Sequence, residues 1–124
     1  MAFSPSFKRI SKAVLVGAAV IVAINVWWSY FSPEGKRRAR VHAASGHAKT
    51  VVAPLLAKQK RFEEIQVFGS YAGDGYFGVR GGVDSEPDWK DLEQLIVSSR
   101  PPAPILWDVY VGQRHVTNVT VITP

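Results

Sequence analysis

No cysteine occurs in this chain. Disulfides, cysteine-ligated zinc, thiolate-held iron–sulfur clusters and a thiol nucleophile are thereby excluded. Histidine is nearly as scarce. His42 and His47 lie five apart in a basic stretch and His115 stands alone, which offers no convergent metal-ligand set. Acid is nearly missing from half of the sequence. Residues 1–61 hold eleven Lys or Arg and a single acid, Glu34, a balance of +10; residues 62–124 hold four basic residues and nine acids, a balance of −5. A nucleic-acid-binding module carries its positive charge on the folded part. Here that part is acidic, so no nucleic-acid partner is expected, and the basic half suits a lipid surface.

What the chain does have is one long apolar run. Ala13 to Phe31 reads AVLVGAAVIVAINVWWSYF, which as a helix spans about 28 Å, close to the hydrocarbon thickness of a bilayer. Its eight Val, Ile and Leu residues favour insertion by a few kcal/mol in sum, at about 0.3–0.6 each near the centre. Lys8, Arg9 and Lys12 precede it, and Trp27, Trp28 and Tyr30 suit a membrane interface at its far end. The run exceeds the core of a cleavable signal, and no small-x-small site follows closely. An uncleaved, single-pass anchor is expected. Lysine and arginine counts on the two flanks nearly match, so the positive-inside rule leaves orientation open. Gly17 and Asn25 are the positions where a partner helix could dock.

Ser32-Pro33-Glu34-Gly35 reads as a break that closes the helix. The predicted organisation is a basic flank over 1–12, a transmembrane helix over 13–31, a basic flexible linker over 32–48 and a small α+β domain over 49–124. In the linker, Lys36, Arg37, Arg38 and Arg40 are expected to contact anionic lipid head groups, each worth about 1 kcal/mol near such a surface.

Within the domain, Thr50 is placed to cap a helix from Val51 to about Phe62, with Pro54 in its first turn. Glu64 to Tyr71 alternates, with Ile65, Val67 and Tyr71 on one face, and Tyr76 to Val83 alternates with Phe77, Val79 and Val83 inward. Ala72-Gly73-Asp74-Gly75 between them predicts a hairpin. Ser85-Glu86-Pro87-Asp88 is a helix start, and Trp89, Leu92, Leu95 and Ile96 form the buried stripe of a helix to about Ser99. Arg100-Pro101-Pro102 stops it. Ile105, Trp107, Val109 and Val111 alternate in a third strand, and Gly112-Gln113 can turn the chain into a weaker fourth near Val116 to Ile122. The expectation is an αββαβ unit: a three-stranded sheet, with the fourth strand optional, and two helices on one face.

Chemical motifs are few. Gly73-Asp74-Gly75-Tyr76-Phe77-Gly78 spells G-x-G-x-x-G, but it enters a strand rather than opening a helix, so no dinucleotide site is expected. The acids from Asp84 to Glu93 complement a helix N-terminus, and Asp108 alternates outward. No catalytic set, metal, cofactor or small-molecule substrate is read from the sequence, and the chain is not expected to be an enzyme. Gly81 inside the second strand signals close backbone packing, and Ser85 is the capping residue; both are structural expectations.

The order helix, hairpin, glycine-bearing strand, Asp84-Ser85 helix start, helix and strand resembles the BON domain, a small bacterial envelope module. Val79-Arg80-Gly81-Gly82-Val83 resembles its second strand, with Gly81 in the hallmark position. Ile65 and Val67 resemble its first strand, Leu92, Leu95 and Ile96 its second helix, and Val109 and Val111 its last strand. The resemblance covers about Thr50 to Val111. It implies a non-enzymatic module of the cell envelope, exported to the periplasmic side, that contacts lipid or protein. The alternative is an accessory or assembly subunit of a larger membrane complex.

Overall fold

The computed structural model describes residues 5–122, with the side chains of 5–13, 29 and 30 outside the description. The fold is α+β, and the chain divides into two compact units between Lys36 and Arg37. The first carries α1, Pro5–Phe31. Its described apolar side chains are all exposed, from 51% at Val26 to 67% at Leu15. Among the described residues no single helix is long and apolar enough to cross a membrane. One pair of successive helices, Val14–Trp28 with Pro33–Ala57, passes that test only when taken together.

The expected flexible linker is a helix. α2 runs Pro33–His47. Ser32 Oγ accepts from the Gly35 N–H at 3.0 Å, Pro33 occupies the first turn and Glu34 faces the positive end of the dipole, so the tetrad that closes α1 at Phe31, as expected, also starts a second helix in place of the linker. Helical geometry then continues without interruption. Ala48–Val52 widens into a π turn, with the Ala53 N–H donating to the Ala48 carbonyl, and α3 follows over Ala53–Ala57. Pro54 accounts for the widening: it has no N–H to give to Thr50 O, and its ring would crowd that carbonyl in a tight α turn. Thr50 is therefore not a cap. Its hydroxyl donates back to Gly46 O at 2.8 Å. The helix expected to reach Phe62 stops at Ala57, and Lys60–Phe62 is a separate 3-10 turn.

Four strands follow: β1 Gln66–Ser70, β2 Tyr76–Val83, β3 Ile105–Val111 and β4 Arg114–Thr120, with α4, Glu86–Ser98, between β2 and β3. The sheet order is β1-β2-β3-β4. β1 and β2 form the predicted antiparallel hairpin, with Gln66 opposite Arg80 and Ser70 opposite Tyr76. β2 and β3 are parallel, with Phe77 opposite Ile105 and Val83 opposite Val111, as the α4 crossover requires. β3 and β4 are antiparallel around Gly112-Gln113. The fourth strand does form, two residues earlier than expected. Tyr71 lies past the end of β1 and is exposed.

One face of the sheet carries the core. Phe77, Val79, Ile105, Trp107 and Val109 are essentially without solvent contact, as are Leu92 and Ile96 of α4 and Phe62. Side chains of this size contribute about 1.5–3 kcal/mol each on burial. α2 contributes differently, through Val41 and Ala44, with Ala48 just beyond. Small side chains let backbones close in: a methyl group at Gly69 of β1 would collide with the Val41 carbonyl. Gly81 has φ +134°, and a side chain there would strike the Glu64 carbonyl. Ser85 caps α4, its Oγ accepting from the Asp88 N–H. Arg100 follows the helix with φ 53°, the left-handed position usually given to glycine.

Candidate functional site

Among the described residues, no helix contributes to the opposite face of the sheet, where Arg80, Tyr110 and His115 are exposed. Alternation sends Phe68 of β1, Arg80 of β2, Asp108 and Tyr110 of β3, and His115 of β4 to this side. They form one connected row. Arg80 lies over the Phe68 ring, 5.6 Å from its centroid, and reaches toward Asp108 with its Nε 3.8 Å from Oδ2. The other oxygen of Asp108 meets His115 Nε2 at 2.5 Å. Tyr110 stacks on the His115 ring at 4.3 Å and 9°. Gly78 makes room for the Phe68 ring, which a side chain there would strike. A hollow of about 500 Å³ over Gly81 and Gly82 is edged by Glu64, Arg80, Asp108, Tyr110 and His115. Arg80 and Asp108 are 64% and 45% exposed, so their ion pair contributes little to stability, of order 0–1 kcal/mol. The row is thus a surface available for contact: two flat aromatic faces, one guanidinium and an oriented imidazole. Among the described residues no group of three His, Cys, Asp or Glu side chains could hold a metal ion.

A second concavity, about 980 Å³, lies where β1 meets the end of the long helical segment. On the strand side it is lined by four consecutive residues, Ile65 to Phe68. Ala53, Leu56 and Ala57 line the helical side, Phe62 lines it between them, and Lys58, Lys60, Glu63 and Arg80 are its charged members. Nearby, Arg61 ties the 3-10 turn to α4, donating to Asp88 at 3.1 Å and Asp91 at 2.7 Å. Those hydrogen bonds, Asp91 first, raise its pKa above the ordinary arginine value.

The residues singled out in the sequence fall in several places. Lys36 and Arg38 are exposed. Arg37 and Arg40 grip the hairpin turn: Arg37 Nη2 donates to the Tyr71 carbonyl and its guanidinium lies 5.5 Å from that ring, while Arg40 Nη1 donates to the Asp74 carbonyl at 2.7 Å. Trp27 and Trp28 are exposed on α1; the side chain of Tyr30 lies outside the described residues. Gly17 has open space around it, and Asn25 is exposed. Gly81 and Ser85 hold the strand and helix positions expected of them. His47 is half-buried: its Nε2 lies 3.0 Å from Ser99 Oγ and its ring meets Phe77 edge-on. Burial lowers its pKa from the usual 6.5.

Arg80, Tyr110 and His115 were missed as a group, although a signal existed. A two-residue loop at Gly112-Gln113 pairs Val111 with Arg114 and therefore Tyr110 with His115. Asp108 was expected outward and solvated. It points outward, but between Arg80 and His115. Comparison with known proteins finds no counterpart: no family model, no curated protein and no solved structure matches the chain.

Proposed function

We propose that this chain is a membrane-anchored, non-enzymatic binding module, BON-like in kind, whose α+β unit contacts partners at the surface of the cell envelope. The observation that carries the reading is α1. A helix that belongs to a folded core hides at least one stripe of its side chains, whereas every described apolar residue from Val14 to Val26, with Trp27, Trp28 and Phe31, is exposed. Apolar side chains exposed all round a helix are stable in lipid and costly in water. Lys36 and Arg38 are the cations left to meet anionic head groups. The envelope resemblance supports export of the unit to the periplasmic side.

The test is alkaline carbonate extraction of native membranes containing the full chain. Retention in the pellet is expected, and release into the supernatant overturns the anchor. A reporter fused after Pro124 reads the side: cytoplasmic activity overturns export. Asn25, a polar side chain exposed among apolar ones, favours a second reading, the accessory subunit of a larger membrane complex. Recovery in a stoichiometric large assembly on mild solubilisation would establish it.

A further inference from the structure

The concavity beside β1 carries more than an unspecific binding role. β1 is an edge strand: it pairs with β2 alone. In an antiparallel pair alternate residues turn their N–H and C=O away from the partner. Among the described residues, no backbone hydrogen bond outside the β1–β2 ladder involves Gln66–Ser70. The cavity follows that edge, because its strand-side lining is the consecutive run Ile65 to Phe68 rather than every second residue. Across from the edge stand Ala53 and Ala57, both exposed and both short, so a second backbone has room to enter. The base is apolar, with Leu56, Phe62, Ile65 and Val67. The charged lining is three cations, Lys58, Lys60 and Arg80, against Glu63.

We infer that this groove binds an extended acidic peptide segment of a partner protein, which adds to the sheet as a strand alongside β1. Main-chain hydrogen bonds to the open edge supply affinity, and alternate side chains of the guest divide between the apolar base and the cationic rim. Charge selects the guest, since Lys58 and Lys60, with Arg80 shared with Asp108, outweigh Glu63 and so favour a negative chain and disfavour a positive one. A lipid tail fits the site less well. It would cover the outward N–H and C=O groups without offering them partners, and buried unpaired groups are costly. The inference names a ligand for the α+β unit and does not depend on where α1 lies.

The experiment uses the full chain in neutral-detergent micelles and fluorescein-labelled hexapeptides, read by anisotropy. The probe is Glu-Val-Glu-Val-Asp-Val, acetylated and amidated. Its controls are the same peptide with lysine at each acidic position and a version N-methylated at alternate amides. The acidic probe is expected to bind, the lysine version at least about tenfold more weakly, and the N-methylated version not at all within reach of the titration, to about 1 mM. Ala57→Trp, at an exposed position, is expected to block binding without loss of the far-ultraviolet dichroism. Lys58→Glu with Lys60→Glu is expected to weaken it at least about tenfold. Equal binding of the N-methylated peptide, or displacement of the probe by dodecyl phosphate, overturns strand addition in favour of a lipid groove. Self-association that Ala57→Trp abolishes overturns it in favour of a second copy, and absence of binding by the acidic probe overturns it outright. Carbonate extraction reports on the anchor separately, so the two readings can fail independently.

Discussion

Replacing Gly81 with alanine is expected to destabilise the α+β unit severely. Two costs apply. At φ +134° an L side chain sits in a region kept for glycine, which costs about 1–3 kcal/mol. The new methyl also strikes the Glu64 carbonyl, a backbone atom that cannot swing aside, and overpacking of that kind costs a further 1–3 kcal/mol or so. The sum, about 2–6 kcal/mol, is a large share of the roughly 5–13 kcal/mol expected for a unit of about 90 residues. At about 4–8 °C per kcal/mol the melting temperature should fall by at least about 8 °C. The assay is a near-ultraviolet dichroism melt of the full chain in neutral detergent, which follows the buried Trp89–Trp107 pair, 5.0 Å apart and edge-on. Gly46→Ala is the internal control. Gly46 sits within α2 with nothing within 4 Å of an added methyl, so alanine there should stabilise by about 0.5–1 kcal/mol. If Gly81→Ala melts within about 2 °C of the parent, or Gly46→Ala falls as far, the packing argument is wrong.

Two further outcomes follow from buried polar contacts. Thr120→Val removes the acceptor of the Trp107 Nε1–H bond, 2.8 Å long, and should cost about 1–3 kcal/mol in urea denaturation; Thr117→Val, on the exposed side of the same strand, should change little. His47 gives a pH dependence. Burial lowers its folded-state pKa below 6.5, so as pH falls the unfolded chain takes up the proton first. The stability it contributes is complete above about 6.5 and declines as pH drops from there toward the folded value. Denaturant titrations across that range, in parent and His47→Gln, should diverge on the acid side, and parallel curves would refute the assignment.

Much of the fold was legible in local chemistry. The capping serine, the acids and the proline at Ser85 to Asp88 announced α4, and strict alternation announced β2 and β3. The same signature at Ser32 to Glu34 starts α2, but Pro33 and Gly35 also signal a break, and α1 does end there, so the tetrad alone does not reveal the second helix. α2 escaped notice for a related reason. Its buried side consists of Val41 and Ala44, set against glycines of the hairpin, and a contact made of small residues leaves no apolar stripe to detect. The candidate surfaces were harder still. The row from Phe68 to His115 depends on the register between strands distant in sequence, and the groove depends on where a π turn redirects a helix. Neither is encoded in a contiguous motif.

The central pair of the sheet joins residues 77–83 to 105–111, with their strands running the same way. Such a pairing cannot start until the second member has been synthesised. At about 5–20 residues per second, the ribosome finishes α1 some 4–16 s before Val111 is added. For that interval the greasy amino-terminal stem is complete while the globule does not yet exist. Any factor that meets the emerging α1 therefore meets it ahead of a closed sheet.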